Sequence, residues 1–215
     1  MKIINILQKI LKEQTVEPAA QDATKTKYTE PNEPKIALDL PDETPKPNMN
    51  KDNLDEVISC SGYAGGTPEF KFAKIIATKE GWLKNANNGK GSRSYRNNNP
   101  GNLDYYDGLK SIDSGVQKEK KLDGSEGRFA KFSTPCLGSK ALIEEKIHKW
   151  SKGQMPDYGS APGYEAGKVP TLKQFMYTYA PPTENDTTKY INDILKSLGS
   201  REITPDTSMD KIIKI

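Results

Sequence analysis

The chain has 215 residues, of which 33 % are hydrophobic, with a mean hydropathy of −0.79 and a formal net charge of +3. That length holds one domain with a real core, or one domain and a tail, and the polarity implies that part of the chain stays outside any core. Charge is divided unevenly: residues 1–59 carry −3 and the remainder +6, a balance that suits an anionic polymer or a solvated lysine-rich surface.

Residues 1–13 place Ile3, Ile4, Ile6, Leu7, Ile10 and Leu11 at helical spacing, which predicts a short amphipathic helix. Such a helix is marginal alone in water and needs a partner. Its polar face is only weakly basic, so we expect docking to protein rather than to membrane. Gln8 and Lys9 interrupt the apolar run and no small-residue cleavage site follows, so the stretch does not read as a signal peptide, and no segment is long enough to span a membrane. Residues 14–59 read as a disordered linker. Six of the fifteen prolines lie there, and Tyr28 is its only aromatic.

From about residue 60 helix punctuation becomes regular, and residues 60–215 read as one domain. Thr67-Pro68-Glu69 is an N-cap, N1 proline and first-turn acid; Phe70, Ala73, Ile76 and Ala77 form the apolar stripe, and Gly81 ends the helix after Glu80. Residues 84–102, rich in Asn, Gly and Ser, predict a loop. Residues 120–132, with Asp123-Gly124 and the alternation Phe129-Ala130-Lys131-Phe132, predict a β-hairpin. Thr134-Pro135 opens a helix through Trp150, Thr171 one stopped by Pro181-Pro182, Asn185 or Asp186 one closed by Gly199, and Thr204-Pro205 a last short one. The fold class expected is α+β, mainly α.

Cys60 and Cys136 match no metal pattern and are too few for a disulfide framework; two free thiols are expected, a single bridge being the alternative. The only histidine, His148, sits mid-helix, which argues against both a zinc site and a Ser-His-Asp triad, and no cofactor is implied. Glu80 stands out instead. At a helix C-terminus it meets the negative end of the macrodipole, and the Trp82 indole nearby would exclude water. Both effects favour the protonated carboxyl that a glycosidase uses as general acid. Read alone, the same residue is an ordinary surface glutamate before a C-cap glycine.

Taken together, IIATKEGW (75–82), SYRNNNPGNL (94–103), GRFAKFSTPCLGSKAL (127–142), TLKQFMYTYAPPTENDTTKYINDILKSLG (171–199) and ITPDTSMDKI (203–212) resemble, in order, the lysozyme-like, transglycosylase-type domains of phage particles and some secreted bacterial proteins. The resemblance spans roughly residues 66–213 and leaves residues 1–59 uncovered. It implies a lysozyme-like domain that cleaves the peptidoglycan glycan strand, with Glu80 as catalytic acid and base. By the same resemblance Arg96, Asn98, Asn99, Pro100, Gly101 and Asn102 border one side of the cleft, and Tyr179, Asn185, Thr187 and Tyr190 face it from the other. Asp104, Asp107, Glu184 and Asp186 are the candidates for a second carboxylate, none singled out by its pattern. A lytic transglycosylase needs only one acid/base, and that route is preferred here over hydrolysis. The implied setting is a phage virion, with residues 1–13 docked on a virion protein and the enzyme acting in the host wall or periplasm. Two other readings stand beside it: an inactive structural or wall-binding virion protein of the same fold, and a nucleic-acid-binding particle protein. The last is disfavoured because no basic stretch interleaves with aromatics.

Overall fold

The computed structural model describes residues 50–157 and 161–214. The predicted helix 1–13 and the linker as far as residue 49 lie outside the described residues. The linker's last ten residues are structured, contrary to expectation. Asn53 caps helix α1 (Leu54–Ser59) by accepting from the Asp55 N–H, and Val57 and Ile58 are fully buried. A single amphipathic turn and a half vanishes in the average composition of a long polar stretch.

Helix α2 (Pro68–Lys79) starts as its punctuation predicts. Thr67 accepts from the Phe70 N–H, and Phe70, Phe72, Ala73, Ile76 and Ala77 are buried. Within the predicted loop lies a short helix, α3 (Arg93–Arg96), capped by the Ser92 hydroxyl on the Tyr95 N–H. Strands β1 (Gln117–Lys120) and β2 (Glu126–Lys131) pair antiparallel with Gln117 opposite Lys131, so the hairpin begins three residues before the predicted start. Its turn uses Asp123, whose Oδ1 accepts from the Ser125 N–H, and Gly124 at φ 83°.

Helix α4 is continuous from Pro135 but changes pitch. Pro135–Ala141 and Lys149–Ser151 are α-helical, and Leu142–His148 between them is a π-helix. Helix α5 (Leu172–Tyr179) has a full capping box between Thr171 and Gln174. Asp186, rather than Asn185, caps α6 (Thr187–Leu198), and Gly199 closes it at φ 69°. The last helix, α7 (Met209–Ile212), starts after Ser208, whose hydroxyl donates to the Asp210 carboxylate, and is not opened at Thr204-Pro205, because Thr204–Thr207 close a turn of their own.

The protein is thus mainly helical with one two-stranded antiparallel sheet among the described residues. Helix α2 packs on α6 and on the π-helical segment. Phe72, Phe132, Leu142, Ile143, Ile147, Leu172, Phe175, Met176 and Ile194 form the fully buried centre. Phe175 meets Phe72 and Trp150 edge-on, with centroids 5.7 and 5.0 Å away.

Two features bind the site-bearing loops to this core. Cys60 and Cys136 form a disulfide with Cα atoms 5.3 Å apart, where free thiols were expected; the bridge joins the end of α1 to the first turn of α4. A contact across 76 residues of chain is invisible to local pattern. At Gly138 in α4, a Cβ would sit 1.9 Å from the Asn98 carbonyl oxygen. Gly138→Ala must therefore push the 97–102 loop off the helix, and we expect a loss of about 2 kcal/mol by denaturant titration.

Candidate active site

Glu80 occupies the C-cap of α2 (φ −71°, ψ 1°), and Gly81 at φ 71° turns the chain away behind it. This fixes the carboxyl at the head of a cleft of about 980 Å³ lined by the 101–106 segment, the hairpin, α4 and the α5–α6 connection. Two donors reach the carboxylate from different elements. Asn102 Nδ2 donates to Oε2 at 3.0 Å, and the Tyr190 hydroxyl on α6 donates to Oε1 at 3.0 Å. Burial pushes the carboxyl's pKa above its ordinary value, and the two hydrogen bonds, with a weaker pull from Arg93, oppose this without cancelling it. Trp82, which its place in the sequence offers as the desolvating group, does not line the cleft. Its ring lies against Tyr95 with centroids 5.3 Å apart, and its indole donates to the Lys51 carbonyl at 3.1 Å.

Asn102 reaches Glu80 because the loop before it is held from beneath. Asn98 and Asn102 both adopt positive φ (51° and 44°), the conformation asparagine tolerates best among residues with a Cβ. Asn99 is fully buried: its Nδ2 donates to the Leu103 and Ala130 carbonyls, and its Oδ1 accepts from the Leu103 N–H, all at 2.9 Å. Asn98 Nδ2 donates to Phe132 O at 2.9 Å, and Arg96 Nη1 to Gly91 O at 2.7 Å. The Tyr179 hydroxyl donates to the Gly101 carbonyl, and the Thr187 hydroxyl to that of Ala180.

Of the residues the resemblance implies, Glu80, Asn102, Tyr179 and Asn185 line the cleft, and Tyr190 grips Glu80 from the side. Arg96, Asn98, Asn99 and Thr187 do not line it. Asn98, Asn99 and Thr187 direct their side chains to backbone partners and shape the loops, and Arg96 ties one of its nitrogens to the Gly91 carbonyl. Among the candidate second carboxylates, Asp107 is exposed and accepts from Lys110, and Asp186 serves as a helix cap. Asp104 and Glu184 do line the cleft, but one guanidinium holds both. Arg128 Nε lies 3.2 Å from Asp104, and Arg128 Nη1 donates to Glu184 at 3.0 Å. His148, outside the cleft, has its ring nitrogens against Glu69 and the Tyr63 hydroxyl.

Arg93, Arg128, Phe129, Lys146 and Trp150 also line the cleft and were not anticipated. The Phe129 ring lies between the guanidinium groups of Arg93 and Arg128, 4.6 and 4.9 Å from its centroid. Simple alternation along the hairpin does not single out Arg128, because the buried residues of β2, Gly127 and Ala130, are three apart and the strand pairing carries an irregularity.

Tyr190→Phe keeps the ring and removes one donor to the carboxylate. We expect the Glu80 carboxyl, followed by NMR titration, to keep its proton to still higher pH, because its charged form loses support. An unmoved titration would deny Tyr190 that role. Compared with known proteins, the chain matches no protein-family model, no curated protein and no solved structure.

Proposed function

We propose that this chain cleaves the MurNAc–GlcNAc β-1,4 bond of bacterial peptidoglycan with Glu80 as general acid and base, and that the folded part of the chain, from about residue 50 onward, is a lysozyme-like domain of the lytic transglycosylase type. The observation that carries this reading is a partly buried glutamic acid of raised pKa, gripped by two side chains at the head of a large cleft whose other carboxylates are already engaged. Glu80 donates its proton to the glycosidic oxygen as the C1–O bond breaks, leaving an oxocarbenium-like sugar. The resulting carboxylate takes a proton from that sugar's 6-hydroxyl, whose oxygen closes on C1 to form a 1,6-anhydro ring. The proton count balances, no water is consumed and no second carboxylate is required. Hydrolysis would need a base or nucleophile opposite Glu80, and Asp104 and Glu184 are held by Arg128 instead.

The setting proposed is a phage virion, with the domain tethered through residues 1–13 and the intervening proline-rich segment and acting on the host wall. Mass spectrometry of digested wall tests the chemistry: anhydromuramic ends are expected. Reducing ends would replace the transglycosylase reading with a muramidase one, and an intact wall would refute both.

A further inference from the structure

Lys146 occupies an unusual position in the cleft wall. It lies in the π-helical segment of α4, a local pitch that is rare and often found at functional sites. Its ammonium stands 4.8 Å from the centroid of Trp150 and 5.5 Å from that of Tyr106. Two carboxylates are near enough to feel its charge, and both are committed elsewhere. Glu145 takes Lys149 at 2.6 and 2.7 Å and the Tyr106 hydroxyl at 2.6 Å, and Asp104 takes Arg128. Among the described residues the Lys146 ammonium makes no hydrogen bond or ion pair, since Glu145 and Asp104 are taken by other donors. Burial also lowers its pKa from the ordinary lysine value. An ammonium with three donors and no acceptor among the described residues has hydrogen-bonding capacity open to an incoming anion. Aromatic faces hold it in place but do not satisfy its N–H groups.

We propose that Lys146 is a substrate-selecting residue whose ammonium pairs with a carboxylate carried by the bound glycan strand. This rests on the peptidoglycan reading above, in which the sugar polymer carries carboxylates that neutral aminosugar polymers lack. The carboxylate has two possible sources: the lactyl group of a muramic acid without its peptide, or the peptide stem. An incoming carboxylate completes the ammonium's hydrogen bonds beside the Trp150 and Tyr106 rings, and such a charge-assisted pair is strong.

The test is binding by calorimetry, using the full chain carrying Glu80→Gln so that nothing is cut. Three oligomers of equal length are compared: uncharged N-acetylglucosamine, stem-free muramic-acid glycan with free lactyl carboxylates, and stem-bearing glycan. At least one charged oligomer should bind about 10-fold tighter than the neutral one, the equivalent of about 1.4 kcal/mol, and the preference should shrink with salt. Lys146→Met should erase the preference and leave neutral binding intact, and Lys146→Arg should keep part of it. Tight binding of the stem-bearing oligomer alone places the carboxylate in the peptide. Equal binding of all three oligomers, or a preference that survives Lys146→Met, overturns the inference and leaves the glycan reading standing. Failure of every oligomer to bind overturns that reading itself.

Discussion

Replacing Glu80 by glutamine is expected to cut wall clearing by about 10³-fold, within the range for loss of a general acid, while the fold persists. Glutamine is nearly isosteric and keeps an oxygen for the Tyr190 hydroxyl, but it has no proton to give. The pH dependence follows from burial. The carboxyl in the native protein keeps its proton above the ordinary glutamate value of 4.5, so the wild-type rate falls as pH rises through the raised pKa. Stability moves in the same sense. Between 4.5 and the raised value the native state binds more protons than the unfolded chain, so wild type loses stability as pH climbs through that window and is level above it. Glu80→Gln does not titrate, and its melting temperature should therefore gain on that of wild type across the same window. Turbidity loss of purified wall and thermal melts over a pH series measure both. Equal clearing by the two proteins would remove Glu80 from the chemistry.

Loss of the Cys60–Cys136 bridge should produce the largest change in stability. It closes a separation of 76 residues, for which chain-entropy reasoning gives about 4–5 kcal/mol. For a domain of this size that corresponds to a fall of roughly 10–15 °C in Tm. The bridge hangs α1, with its buried Val57 and Ile58, on α4, where the Ser139 hydroxyl also donates to the Val57 carbonyl at 2.8 Å. Neither cysteine lines the cleft, so the rate measured well below the melting transition should change little. Calorimetry with and without reductant, alongside the double serine variant, is the check; an unchanged Tm under reducing conditions would mean that the bridge does not form.

Much of the helical frame was legible because its signals are local. Thr67, Thr134 and Thr171 each cap the helix their position announces, and Gly199 closes α6 as read. Glu80 was legible for a similar reason, since helix end and following glycine are neighbours in the chain. What was not legible depends on distance along it. The disulfide, the Arg128 clamp on Asp104 and Glu184, and the seat of Lys146 between two rings each join segments that no short pattern connects. The asparagine-rich loop shows a different limit. Its residues were identified, but not how they divide. A buried amide that holds backbone and an amide that faces a carboxyl have the same letter, and only the fold separates Asn99 from Asn102.

The segment before α1 bears on how this protein can be cut. Lys51 lies over the rings of Tyr95 and Trp82, 4.2 and 5.8 Å from their centroids, and Asp52 takes the Tyr95 hydroxyl and the Lys84 ammonium. Trp82 follows directly on the turn that carries Glu80, and Tyr95 packs against it. A shortened version started where the composition changes, at residue 60, would strip this clasp from the back of the glutamate's turn and uncover the surface that Val57 and Ile58 fill. Recombinant fragments, fusions and display formats should begin no later than residue 50.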